Sequence, residues 1–214
     1  MTHPIYIAQA RYQVNADAVH GEYVQIGGED YYKIANYDQM PPFFMSIVSD
    51  ADHWLFISST GGLSAGRKNA DSALFPYYTE DKLTESAEHT GSKTLLRIER
   101  GGSAFGWEPF STRYAGIYRL QRNLYKNVIG NCVIFEEINL DLQIAFSYAW
   151  QTSDRFGFAR TATLANRGGD ACRIVLLDGV QNILPYGTTA LMQNTFSVLM
   201  DAYKRNELDA EAGL

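Results

Sequence analysis

From Leu142 to Gln151 the chain alternates without a break. Leu142, Ile144, Phe146, Tyr148 and Trp150 fall on one side, and Gln143, Ala145, Ser147, Ala149 and Gln151 on the other. A period of two sets the large apolar residues on one face of a strand, whereas a helix would scatter them around its circumference. Burying a single large apolar side chain is worth roughly 1.5–3 kcal/mol, so such a face calls for a second layer to cover it. Flanking segments repeat the signal. Ile117 to Lys126 and Asn127 to Leu140 precede it, and Phe158 to Asn166 and Arg173 to Leu177 follow around the turn Arg167-Gly168-Gly169-Asp170. Nearer the start, Glu22 to Ile26 and Asp30 to Asn36 flank Gly27-Gly28, and Phe43 to Ser49 and His53 to Ser58 flank Asp50-Ala51-Asp52. Both read as hairpins. Lys93 to Glu99 runs into Gly101-Gly102 as a further strand. Long antiparallel strands joined by short turns predict a mainly β chain, an antiparallel two-sheet sandwich.

Two stretches break this pattern. Gly61 to Asp71, rich in Gly, Ser and Asn, reads as a loop, and Ala73 to Ser86 as irregular or a short strand. Near the end, Phe196, Leu199, Met200 and Tyr203 are spaced i, i+3, i+4 and i+7. This spacing predicts one helix over Asn194 to Asn206, capped by Asn194 or Thr195, with Lys204 and Arg205 at its negative end. The organisation expected is a β-sandwich domain over 1–191 and a linking helix with a polar tail over 192–214. That tail has no closing element, and the chain reads as leading into a further domain.

Composition narrows the function classes. The 214 residues carry a formal charge of −6, with cations paired only at Arg67-Lys68 and Lys204-Arg205, which argues against a nucleic-acid partner. Aromatic residues make up 13% of the chain, enough for a thick sheet-on-sheet core or for stacking surfaces. Cys132 and Cys172 each sit in an apolar run and read as buried free thiols. The start shows neither a charged nor an apolar targeting region, and no run is long enough to span a membrane. The expectation is a cytoplasmic protein without a membrane partner.

Residues able to carry chemistry are sparse. A glycosidase needs two carboxyl groups across one sugar bond. Glu136-Glu137 is the conspicuous pair, but neighbours on a strand point to opposite faces, so it reads as a solvated strand-end pair. Glu108 and Asp141 stand isolated. His3, His20, His53 and His89 have no partner at ligand spacing, and Asp50, Asp52 and His53 fit a hairpin tip better than a metal site. Gly-x-Ser-x-Gly is absent, and Gly61-Gly62-Leu63-Ser64-Ala65-Gly66-Arg67-Lys68 lacks the spacing of a phosphate loop. No catalytic residue, cofactor or metal site is assigned. The stretch from Gly61 to Lys82 remains the richest. Arg67, Lys68, Asp81 and Lys82 offer directional hydrogen bonds, and Tyr77 and Tyr78 offer flat stacking faces, a mixture suited to a sugar or a neighbouring domain.

Ile57-Ser58-Ser59-Thr60-Gly61-Gly62, Ala65-Gly66-Arg67 and Phe75 to Lys82, together with Phe158 to Asn166 and Leu177 to Gly187, carry a family resemblance. The sequence resembles the front of large bacterial proteins related to cellobiose phosphorylase and cyclic β-glucan synthase (glycoside hydrolase family 94-like). The resemblance implies a supersandwich of the galactose-mutarotase-like kind, joined through helices to an (α/α)6 catalytic domain that supplies the general acid. It therefore implies a non-catalytic N-terminal β-domain supporting the catalytic domain or the substrate entrance. The partners expected are that catalytic domain, an oligosaccharide and a second copy of the chain. Two rivals stand beside this reading. A stand-alone carbohydrate-binding module would present coplanar exposed aromatics, with Trp54, Trp107 and Trp150 as test residues. A mutarotase-like epimerase would need a His and a carboxylate in one cleft.

Overall fold

The computed structural model describes residues 5–7, 10–13, 17–77 and 79–202. In chain order the strands are β1 (Tyr6–Ile7), β2 (Ala10–Arg11), β3 (His20–Ile26), β4 (Glu29–Ala35), β5 (Phe44–Ile47), β6 (His53–Ser58) and β7 (Leu63–Arg67). Helix α1 (Glu80–Glu85) follows. Then come β8 (Gly91–Arg100), β9 (Ser103–Trp107), β10 (Leu120–Asn127), β11 (Cys132–Asn139), β12 (Ile144–Ser153), β13 (Gly157–Asn166), β14 (Arg173–Gln181) and helix α2 (Ala190–Ala202).

The chain is mainly β, and every pairing between its strands is antiparallel. A six-stranded sheet has the order β13-β12-β11-β10-β4-β3. Two three-stranded sheets, β14-β8-β9 and β5-β6-β7, contribute to one core with it, and β1 and β2 form a small separate ladder. The alternating face of β12 is the heart of this sandwich. Ile144, Phe146, Tyr148 and Trp150 are all buried with Leu142, while Gln143 and Gln151 are exposed and Ser147 half-buried. They meet Val133 and Phe135 of β11, Leu55 and Ile57 of β6, and Leu96 and Ile98 of β8.

The β3–β4 turn shows why its sequence is Gly-Gly. Gly27 and Gly28 have φ of 61° and 88°, the left-handed pair that a two-residue hairpin turn requires.

Three expectations are corrected. Gly61 to Asp71 is not all loop, because Leu63–Arg67 forms β7, paired along β6 from Ile57↔Leu63 to His53↔Arg67. Its small residues mimic loop composition, but they are small because other chain passes close. A Cβ on Gly66 would lie 2.7 Å from the Trp54 ring and from Ala73 Cα. Ala73 to Ser86 contains helix α1, too short for a helical period to be visible, with Glu80 and Asp81 in its first turn and Leu83 fully buried.

The terminal helix starts at Ala190, not Asn194. Thr189 Oγ1 accepts from Met192 N at 3.2 Å and Asp71 Oδ1 accepts from Ala190 N at 2.8 Å, so a carboxylate 119 residues away satisfies the helix start. Phe196, first of the expected stripe, is about half exposed and breaks the helical dihedrals with φ −127°. The side chains of Leu199 and Met200, and Tyr203 to Asn206 with Lys204 and Arg205, lie outside the described residues. Cys132 is buried and Cys172 half-buried, both free. Among the described residues no helix is long and apolar enough to cross a membrane.

Candidate functional site

A groove of about 600 Å³ opens where the β6–β7 hairpin meets the β12–β13 turn and the segment that leads into α2. Its floor is apolar, with Leu55, Ala65, Phe75 and Trp150, and Phe75 meets the Trp150 ring edge-on at 6.4 Å. One wall is His53, whose ring packs edge-on against Phe158 at 5.9 Å. Gly157, at φ 77°, permits that approach, since a Cβ there would lie 2.9 Å from His53 Nε2. Two aromatic rings stand on the rim, Phe156 at 75% exposure and Tyr186 at 108%. The Arg155 guanidinium lies 5.2 Å over the Phe156 ring.

Arg67 and Lys68 give the groove its charge. Both are exposed, and neither has an ion-pair partner among the described residues. Lys68 takes φ 58° and donates its N–H to Asp52 O at 3.0 Å, which turns the chain sharply out of β7. Asn69 then accepts from Asp71 N at 3.1 Å and sets up the short turn Ala70–Ser72. This turn presents Asp71 in the groove, although one of its oxygens is held by α2. His53 Nδ1 and Trp150 Nε1, on lining residues, are withdrawn from solvent without a hydrogen-bond partner.

The six residues singled out in the sequence separate here. Arg67 and Lys68 line the groove together. Tyr77 does not line it. Its ring meets Trp54 edge-on at 5.6 Å, and its N–H is bonded to Gln193 Oε1 at 3.1 Å, tying this segment to α2. Asp81 and Lys82 lie exposed on α1, where Asp81 accepts from the Thr79 hydroxyl, and that bond holds its carboxyl below the usual range. Tyr78 lies outside the described residues. Composition missed His53, Asp71, Phe156 and Tyr186. The available signal was an aromatic followed by a glycine, Phe156-Gly157 and Tyr186-Gly187, which sets a ring beside a turn.

The carboxylates set aside from the sequence are also redefined. Glu136 and Glu137 do point to opposite faces, but Glu137 is not solvated. It is 0% exposed and accepts from Trp107 Nε1 at 2.9 Å, Phe110 N at 2.9 Å and Arg122 Nε at 2.6 Å. Glu136 accepts from Asn123 Nδ2, Tyr125 OH and Arg167 Nη2, all at 2.8 Å. Glu108 is not isolated, because it is buried and ion-paired to Lys93, which also holds Glu88. Burial raises the Glu88 carboxyl, but bonds from Thr112 N–H, Lys93, the Thr112 hydroxyl and Arg113 outweigh it and hold it down to about 2. Glu88, Glu108 and Glu137 staple the β9–β10 connection to the sandwich. Trp107 and Trp150 are buried and Trp54 half-buried against Phe56 and Tyr77, so the tryptophans form no coplanar exposed face. Among the described residues no group of three or more His, Cys, Asp or Glu is arranged to hold a metal ion. Set against known proteins, the chain matches no family model and no curated protein.

Proposed function

We propose that this chain is a non-catalytic accessory β-domain of a carbohydrate-active protein and that its groove receives a segment of oligosaccharide. The observation that carries the reading is the rim. Two exposed aromatic rings, Phe156 and Tyr186, flank a concavity that also holds two unpaired cations, Arg67 and Lys68. Sugar rings have apolar faces that stack on aromatic side chains, and their hydroxyls take directional bonds from charged groups. One carboxylate lines the groove, Asp71, and glycoside cleavage needs two. The resemblance to cellobiose phosphorylase-related proteins points the same way, to a β-domain beside an (α/α)6 catalytic domain. The groove abuts α2, the helix which that resemblance makes the link.

A second reading rests on one feature: His53 and Asp71 line the same groove, the residue types that sugar epimerisation uses. Calorimetric titration with a panel of gluco-oligosaccharides, run beside mutarotation and phosphorolysis assays, separates the two. The accessory reading expects binding without turnover, weakened about tenfold by Tyr186→Ala or Phe156→Ala, the scale of one lost aromatic contact. Turnover abolished by His53→Ala would replace it with the epimerase, and no binding across the panel would sink both.

A further inference from the structure

The free edges of the sheets are not protected alike. At β5 the Ser46 carbonyl, turned to the open side, is taken by Lys126 Nζ at 2.9 Å. Beyond β7, Gly66 bridges Ala73, and Leu74 N and Phe75 N both bond to Ala65 O. At β9 the Gly106 carbonyl is taken by Tyr118 OH at 2.8 Å. Such plugs keep a sheet edge from pairing with foreign strands.

β13 has none of them. It is the ten-residue outer strand of the six-stranded sheet and contains no proline. Its one charged side chain, Arg160, turns inward and makes two bonds to Asp178 of β14, at 2.8 and 2.7 Å. Which of its backbone groups face outward follows from the ladder. Arg167 N bonds to Gln143 O in the register that pairs Ile144 with Asn166, so the odd residues of β13 bond to β12. Alternation then turns the N–H and C=O of Phe158, Arg160, Ala162, Leu164 and Asn166 to the open side. Among the described residues nothing bonds to them.

We propose that β13 is the interface for a second copy of this chain, pairing antiparallel with its own counterpart about a two-fold axis through Ala162. The strand is self-complementary in that register. Ala162 meets its own copy, Arg160 meets Leu164, and Phe158 meets Asn166, all through outward-facing groups, for about ten new hydrogen bonds. On the outer face Thr161 meets Thr163 and Ala159 meets Ala165, so hydroxyls oppose hydroxyls and no like charges meet. The second layer agrees. Arg160 also bonds to Ser92 of β8, which sets β13 opposite the sheet whose edge is β14. On that edge Leu176 and Val180, on the same face as Asp178, are 47% and 36% exposed. The same two-fold turns both copies of this partly open apolar edge toward each other.

Light scattering and sedimentation of the full chain test the assignment. Wild type is expected at twice the monomer mass, and Thr161→Lys/Thr163→Lys at the monomer mass with unchanged circular dichroism, because each new cation opposes another across the axis. Ala162→Pro, which removes an outward N–H and no bond within the chain, is expected to do the same. Should proline unfold the chain, hydrogen exchange on wild type gives the answer. The amides of Phe158, Arg160, Ala162, Leu164 and Asn166 should gain protection as concentration rises. A wild type that stays monomeric up to about 100 µM, or a dimer that survives the lysine pair with those amides unprotected, overturns the proposal.

Discussion

Glu137 decides more than any other single residue. Its two oxygens gather an indole N–H, a backbone N–H and a guanidinium inside the core, and so hold the segment Trp107 to Ser111 against β11. Glu137→Gln takes from Arg122 its direct ion-pair partner and is expected to lower the unfolding free energy by about 3–5 kcal/mol in urea titrations, the cost of breaking a buried pair. No sugar-related activity should change with it beyond that loss of fold. Glu88 predicts a pH dependence. Its carboxyl is depressed in the folded state, to about 2, from an ordinary value of about 4.3. Such a group contributes stability that is present above the unfolded value and disappears as pH falls toward the folded one. The difference in stability between wild type and Glu88→Gln should therefore be full at pH 7 and shrink between about pH 5 and pH 2. A difference that stays constant across that window would mean that the charge of Glu88 is not what holds Thr112 and Arg113 in place.

Among the elements, the β6–β7 hairpin and α1 form a unit that the sequence disguised. Gly62 sits where α1 crosses the hairpin, and a Cβ there would lie 2.0 Å from Leu83 O and 2.8 Å from Ser86 Oγ. Gly62→Ala must push the helix away, and a loss of about 1–3 kcal/mol in thermal or chemical unfolding is expected, as for other overpacked sites. Gly169, with open space around its Cβ direction, is the control and should tolerate alanine. The long strands were legible because their period of two runs for eight to ten residues under a continuous apolar face. β7 was not, because Ser64, Ala65 and Gly66 were selected for the closeness of their neighbours and so look like a loop. The start of α2 was misplaced for a related reason. The carboxylate that satisfies it, Asp71, comes from the far side of the chain and leaves no mark in the local sequence.

For the whole molecule, the groove and the open edge make separate demands on experiment. Arg67→Ala should leave the melting temperature of the chain nearly unchanged, since the side chain is exposed and unpaired, yet weaken oligosaccharide binding about tenfold. A clearly lowered melting temperature with oligosaccharide binding by the folded chain unchanged would instead make Arg67 structural. What the sequence by itself determined is the class of fold: strand periodicity and turn chemistry are local properties, and together they specify antiparallel layers with an apolar interior. It also marked Arg67 and Lys68, because a cation pair is visible wherever it falls. Only the tertiary structure decided that these two share a concavity with His53, Asp71, Phe156 and Tyr186, that Tyr77 turns away to Trp54, and that Glu137 is a core hub. Those outcomes depend on which strands lie side by side and how closely they approach. Such distances between residues far apart in the chain follow from packing, and no local pattern encodes them.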